Sequence, residues 1–435
     1  MKKLKFIISL MLLCPGFVSA QMTLQDCLIY AKEHAHANRI NALEVRKAEL
    51  EARQSASRLM PYVGLSASGN LSFGRNIDPE TNTYDNKQTL STGFGLQMSM
   101  PLFDGLVSIN NLKSAQTARL RMMKSAAVEK DRIAIEVIRA FYEVSYCNAM
   151  VAQMKEQLTR DRKDLEGVER QKDLGIKSGS DVAELKALVA NDEYELLNQE
   201  NLLRKAYLSL RSAMGMELTD EPMDLAEDDE PATIVETGFG PVHPKVAEAQ
   251  LTCKELEYRL KAAKGGYSPT ISFTGGVTTS FYKMLGSEYA APSFRRQWRD
   301  NMGQYLGLSV SIPLFDGLST VNSVKWASVN LKESELKLEQ TKYELERETI
   351  EAELDYTSAC DEHYAAVKRV EAEELAYKAV RRKFELGMSS AVDLYTSAAK
   401  LSAAKANVEG KRIQKIISLI TLNYCKTGKV LGFRL

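Results

Sequence analysis

Four stretches of the chain alternate apolar and polar residues with a period of two. In residues 62–73, Val63, Leu65, Ala67, Leu71 and Phe73 fall on one side, and Gly64, Ser66, Ser68, Asn70 and Ser72 on the other. The second stretch sets Leu90, Phe94, Leu96, Met98 and Met100 against Ser91, Gly93, Gly95, Gln97 and Ser99. The third sets Ile271, Phe273, Val277 and Phe281 against Ser272, Thr274, Gly276, Thr278 and Ser280, and the fourth Leu306, Leu308, Val310 and Ile312 against Tyr305, Gly307, Ser309 and Ser311. Period-two alternation predicts β-strands. Elsewhere the pattern is helical. Residues 107–174 and 319–386 contain no proline and predict two helices of about 100 Å each at 1.5 Å per residue. Such lengths demand coiled-coil packing. The returning helices carry the seam: Val182, Val189, Leu196, Leu203 and Leu210 recur every seven residues, as do Leu394, Leu401, Val408, Lys415 and Leu422. Shorter helices are expected over about 23–59 and 243–264.

The strand segments lack charge although 26% of the chain is charged. An ordinary half-buried antiparallel sheet would alternate in the same way. The polar rows, however, are Ser, Thr, Gly and Asn, and the hairpin loops (about 74–88 and 283–301) are long and polar. Strands of this length with apolar residues out and small polar residues in suit an outer-membrane β-barrel. Four strands cannot close a barrel, and open edges are not tolerated in lipid. The chain must therefore oligomerise; two copies would give a lumen filled by side chains, and a conduit needs at least three.

The chain repeats itself. Pro101-Leu102-Phe103-Asp104-Gly105-Leu106 returns 212 residues later as Pro313-Leu314-Phe315-Asp316-Gly317-Leu318. Leu174-Gly175 and Asp181 return at the same offset as Leu386-Gly387 and Asp393, and Pro61 pairs with Pro269 at an offset of 208. Each copy reads helix, two strands, very long helix, turn, helix, and Pro101, Gly105, Pro313 and Gly317 mark the strand–helix turns. The expected organisation is a signal peptide over 1–20, a first repeat over 21–216, an acidic linker over 217–241, a second repeat over 242–428 and a tail over 429–435. The signal peptide rests on Lys2, Lys3 and Lys5 before the apolar run Phe6–Leu13, with Val18-Ser19-Ala20 at the cleavage position. Lipidation at Cys14 is disfavoured by the bulky Leu13. No other segment reaches the apolar length of a spanning helix.

The balance of 57 basic and 57 acidic residues lacks the footprint of a nucleic-acid binder. The four His and the scattered Cys show no metal spacing, and no nucleophile, phosphate-loop or dinucleotide motif is present. No cofactor, metal site or catalytic residue is expected. The rival to a membrane conduit is a periplasmic coiled-coil tether or adaptor, which would not need the charge-free strands.

These features resemble the TolC family of outer-membrane efflux and export ducts. The resemblance rests on the repeat, on Pro-Leu-Phe-Asp-Gly after the second and fourth strands, and on two turns: Leu174-Gly175-Ile176-Lys177-Ser178-Gly179-Ser180-Asp181 and Leu386-Gly387-Met388-Ser389-Ser390-Ala391-Val392-Asp393. It implies an α+β membrane protein: long antiparallel coiled-coil helices with four strands contributing to a trimeric, twelve-stranded outer-membrane barrel. It implies as partners a periplasmic adaptor and an inner-membrane pump (a proton-driven RND or an ABC transporter, for drug efflux or protein secretion), with outer-membrane lipid around the strands. Gly175, Ile176, Lys177, Ser178 and Gly179 in one turn, and Gly387, Met388, Ser389 and Ser390 in the other, become adaptor-contact tips, and Asp181 and Asp393 pore-entrance carboxylates. On the residues alone, both Asp suit plain helix capping and both turns could be inert. Ser389 stands where better-known members carry a basic gate residue, and Thr396 where they carry a second carboxylate, so the family's gate salt bridge does not carry over.

Overall fold

The computed structural model describes residues 21–77, 82–226, 242–286 and 292–430. The expected signal peptide with Cys14, most of the expected linker and the end of the expected tail lie outside the described residues. In chain order the elements are α1 (Leu24–His34), α2 (His36–Ser57), β1 (Tyr62–Ser72), β2 (Arg75–Ile77), β3 (Tyr84–Asn86), β4 (Thr89–Phe103), α3 (Val107–Asp173), α4 (Gly179–Met214), α5 (Pro244–Gly265), β5 (Thr270–Met284), α6 (Phe294–Asp300), β6 (Gly303–Ser311), α7 (Ser319–Glu385) and α8 (Ala391–Thr427). The two proline-free runs form uninterrupted helices of 67 residues each. The described residues divide into two compact units.

One unit, drawn from described residues within 21–43, 124–247 and 340–430, is helical. Leu24, Cys27, Leu28 and Ala31 of α1 pack with Val137, Ile138, Phe141 and Tyr142 of α3, Leu210 and Met214 of α4, and Ile416 and Ile420 of α8. All ten residues of the two expected heptad rows are buried or half-buried, as a coiled-coil seam requires. The first helix departs from the expected single run over 23–59. It breaks at Ala35 (φ −56°, ψ 127°), a buried residue beside Gly215. Gly215 is left-handed, and a Cβ there would lie 2.7 Å from the His34 carbonyl oxygen. Asn38 repairs the break by donating to the Ala31 carbonyl at 3.1 Å.

The other unit, residues 44–123 and 248–339, holds a four-stranded antiparallel sheet in the order β1-β4-β5-β6. Leu65 faces Leu96, Leu96 faces Val277, and Phe273 faces Leu308. Directly opposed residues share a face, so the four apolar rows expected from the sequence lie together on one side. In the single chain much of this face is uncovered: Leu65 and Leu306 are each 80% exposed. β4 and β5 are 15 residues long, against 11 for β1 and 9 for β6. Within the hairpin segments read as plain loops, the chain also forms the small β2–β3 hairpin and the short helix α6.

Candidate functional site

The α3–α4 and α7–α8 turns are built alike. Gly175 and Gly387 are left-handed, with φ 76° and 73°. In the first turn the Gly175 N–H donates to the Lys172 carbonyl and the Ile176 N–H to the Gln171 carbonyl, both at 2.8 Å; in the second, Gly387 and Met388 make the same bonds to Phe384 and Lys383. This is a Schellman ending, which only an αL residue permits without strain. A capping box opens the next helix. Asp181 accepts from the Ser178 N–H at 2.9 Å while its own N–H donates to Ser178 Oγ at 3.2 Å. Asp393 and Ser390 repeat this at 3.1 Å each way. The N-caps are thus Ser178 and Ser390, and Asp181 and Asp393 each sit three residues into their helices.

Both carboxylates are held below the ordinary Asp range, Asp181 by the Ser178 backbone and hydroxyl and Asp393 by the Ser390 hydroxyl and backbone. Ser389, at the position of the family's basic residue, donates its hydroxyl to Asp393 at 3.1 Å. Lys177 extends over the Phe384 ring at 5.1 Å and so bridges the two turns. Beneath them, Val168, Val182, Leu185 and Ala391 form one buried cluster, so the two capped helix starts stand side by side. Leu174, Ile176, Leu386, Met388 and Val392 remain exposed.

The strand–helix turns are equally alike in backbone. Gly105, Leu106, Gly317 and Leu318 all have φ between 65° and 70°. Asp104 and Asp316 accept from the backbone N–H of Ser108 and Thr320, each at 2.8 Å, and so start the long helices. Their surroundings differ. A Cβ on Gly105 would lie 2.3 Å from the Gly265 carbonyl oxygen, whereas Gly317 meets nothing within 4 Å. Leu314 and Phe315 are 93% and 82% exposed, their counterparts Leu102 and Phe103 only 53% and 37%. Among the described residues, the outer edges of β1 and β6 also pair with nothing. On α7, Val329, Leu336, Tyr343 and Ile350 are exposed at steps of seven, and Tyr364 continues the row. Such a row is the seam of a coiled coil, here left exposed among the described residues.

Sequence reasoning missed a buried carboxyl pair between α3 and α4. Asp192 is buried and accepts from Gln157 Nε2 at 3.2 Å. Burial, followed by the facing Asp192 carboxyl, pushes Asp161 up to about 8. A polar residue inside a long helix reads as solvated, and only the packing of α3 on α4 reveals otherwise.

The family model for outer membrane efflux proteins matches residues 31–216 and 242–424. The chain is 20% identical to outer membrane protein TolC of Vibrio cholerae over 426 residues, covering 94% of each chain. Crystal structures of CusC superimpose with a TM-score of 0.80 at 15% identity, covering 94% of this chain and 92% of that one. The outer membrane protein VceC from Vibrio cholerae superimposes with a TM-score of 0.79 at 14% identity, covering 94% and 97%.

Proposed function

The chain belongs to the outer membrane efflux protein family, and from that premise we propose that three copies close one twelve-stranded barrel and form the outer conduit of a three-component export assembly. The asymmetry between the two repeats carries this reading. In the first repeat β4 has a second neighbour, β5, and its following turn rests on Gly265. In the second repeat the shorter β6, which is registered on β5 as β4 is on β1, ends in an uncovered turn and, among the described residues, an unpaired edge. The missing neighbour is supplied when β1 of another copy takes the place that β5 takes beside β4. Repeating that step closes a ring, which lipid requires. Eight strands fill their own lumen, whereas twelve leave one open. The bare heptad row on α7 supports the same association in the helical part.

The two capped turns are the partner surface in this reading. They present Ile176, Lys177, Ser178 and Gly179 beside Met388, Ser389 and Ser390; apart from Lys177, whose ammonium lies over Phe384, these are small or apolar residues that let another helical hairpin approach closely. The cognate partner is a periplasmic adaptor, which would link the conduit to an inner-membrane pump. Asp181 and Asp393, three copies of each, then ring the entrance and favour cations. The test is to purify the mature chain in mild detergent, determine its protein mass by light scattering and record single-channel conductance in planar bilayers. A trimer with discrete conductance is expected. A monomer that inserts, or a trimer that never conducts, refutes the proposal.

A further inference from the structure

β5 outruns β6. β6 pairs only with Thr270–Thr278, and β5 continues to Met284, so six residues of β5 lack a strand on that side. Helix α6 takes the vacant edge. The buried side chain of Gln297 accepts from the Tyr282 N–H at 2.9 Å and donates to the Tyr282 carbonyl at 2.8 Å, doing for one residue what a strand would do. Asn301 donates to the Ser280 carbonyl at 2.8 Å, and Thr279 Oγ1 to the Trp298 carbonyl at 2.8 Å. The helix is therefore fixed to the sheet by its polar side chains.

Its aromatic residues decide which face it covers. Phe294 and Trp298, one turn apart, pack on Phe281 at 5.3 Å and Phe94 at 4.8 Å respectively, centroid to centroid. Phe94 and Phe281 belong to the apolar rows, so α6 lies over the face that a barrel turns toward lipid. It lies at the hairpin-loop end of the strands, away from the turns that start the long helices. Apart from Asp300, the remaining side chains of α6 are basic. Arg295, Arg296 and Arg299 are all exposed. Arg296 and Arg299 share the single carboxylate of Asp300, at 3.4 and 2.9 Å, and Arg295 makes no ion pair among the described residues. Lys283, two residues beyond Phe281 on β5, is exposed and is the one charged residue that the four main strands place on the apolar face.

From this juxtaposition we infer that α6 is a lipid-binding element, whose guanidinium groups with Lys283 hold the phosphates of the anionic glycolipid in the outer leaflet. The inference rests on the barrel reading above, since it needs the apolar face to meet lipid. Arginine forks match phosphate oxygens two at a time. Trp and Phe beside them suit the boundary between headgroups and acyl chains. Clustered cations at a membrane surface recognise anionic lipid, each improving affinity about fivefold. One carboxylate among three arginines leaves the helix a net cation, so the attraction is not cancelled internally.

The probe is diphosphoryl lipid A, compared with its fully dephosphorylated form and with inorganic phosphate. The full mature chain is delipidated in neutral detergent and titrated with each. Binding is read by native mass spectrometry and by the emission of Trp298 in a Trp326→Phe background, since the chain has only two Trp. Diphosphoryl lipid A should bind, the dephosphorylated form should bind far more weakly, and millimolar inorganic phosphate should neither bind nor compete. Arg295→Gln/Arg296→Gln/Arg299→Gln should weaken lipid A binding about a hundredfold, and the corresponding triple Lys variant, which keeps the charge without the fork, should restore it only in part. Oligomer mass and bilayer insertion are recorded on the same preparations. If the parent protein assembles and inserts but the triple Gln variant binds lipid A as tightly, or if both lipids bind equally, the inference is overturned while the barrel stands. If the parent protein neither assembles nor inserts, the barrel reading fails first, and this inference with it.

Discussion

If β6 of one copy meets β1 of the next as β4 meets β5, the register at the seam follows residue by residue. The repeats map onto each other by 208 residues at β1 and β5, and by 212 at β4 and β6. Leu65 opposite Leu96 and Phe273 opposite Leu308 obey that mapping. In the β4–β5 pair, Met98 faces Gly275, Leu96 faces Val277 and Phe94 faces Thr279. Transferred, Val310 faces Ala67 of the next copy, Leu308 faces Gly69, and Leu306 faces Leu71. All six fall on the apolar face, as continuity of that face demands. Opposed residues in antiparallel strands have Cα atoms about 4.5–5.5 Å apart, inside the roughly 4.4–6.8 Å window for a disulfide. A slip of two residues moves the partner to about 7–8 Å, outside it. The double variant Ala67→Cys/Val310→Cys, oxidised in intact outer membranes, should therefore run as covalent dimer and trimer on non-reducing gels. Each single variant should stay monomeric, because the described native cysteines are buried or half-buried. Leu71→Cys/Val310→Cys, four residues out of register, should cross-link poorly. Efficient cross-linking of that control, with none in the first pair, would sink the transferred register.

Three further outcomes follow from the helical part. Asp181→Ala/Asp393→Ala should lower cation selectivity in planar bilayers and weaken block by trivalent cations; unchanged selectivity would leave both residues only as the carboxylates of their capping boxes. Gly179→Trp and Met388→Trp should leave the oligomer intact, since Gly179 meets nothing within 4 Å and Met388 is 72% exposed, yet should abolish export; normal export in both would remove the turns as the adaptor surface. Asp161 binds its proton more tightly in the folded chain (about 8) than at its ordinary value of 3.8, so the folded state gains relative to the unfolded as pH falls from 8 toward 4 and loses as pH rises. Thermal unfolding at pH 5 and 8.5 should show that loss in the parent protein and a smaller one in Asp161→Asn, which should be the more stable of the two at pH 8.5; parallel profiles would contradict it.

Where the signal was periodic, the fold was legible. The rows beginning at Val63, Leu90, Ile271 and Leu306 share one face, and the proline-free runs end within one residue of the expected limits because Gly175 and Gly387 stop them. The two box carboxylates were legible as capping candidates from their distance to the glycines. What escaped had no local mark. The break at Ala35 involves neither Pro nor Gly in the helix itself; what lies closely against it is Gly215, 180 residues away in sequence. Phe-Arg-Arg-Gln-Trp-Arg-Asp is too short to show a helical period, and only the unpaired edge of β5 explains why Gln297 and Trp298 fold back. Asp161 and Asp192 read as solvated until α3 and α4 are packed together.

The two raw sheet edges have a genetic consequence. On the closed-ring proposal, a chain that cannot finish its own hydrogen bonding has no membrane-stable form alone, so the yield of inserted protein should rise more steeply than in proportion to gene dosage. A copy carrying a proline in β6 could still offer β1 to a neighbour but could not accept the next one, since proline has no N–H to donate to a ladder. It would enter rings and leave them unsealed. Expressed equally with the parent gene, it would leave roughly one ring in eight free of defective copies if three chains mix at random. Such an allele would be dominant over the intact gene, although it encodes a protein that does nothing by itself.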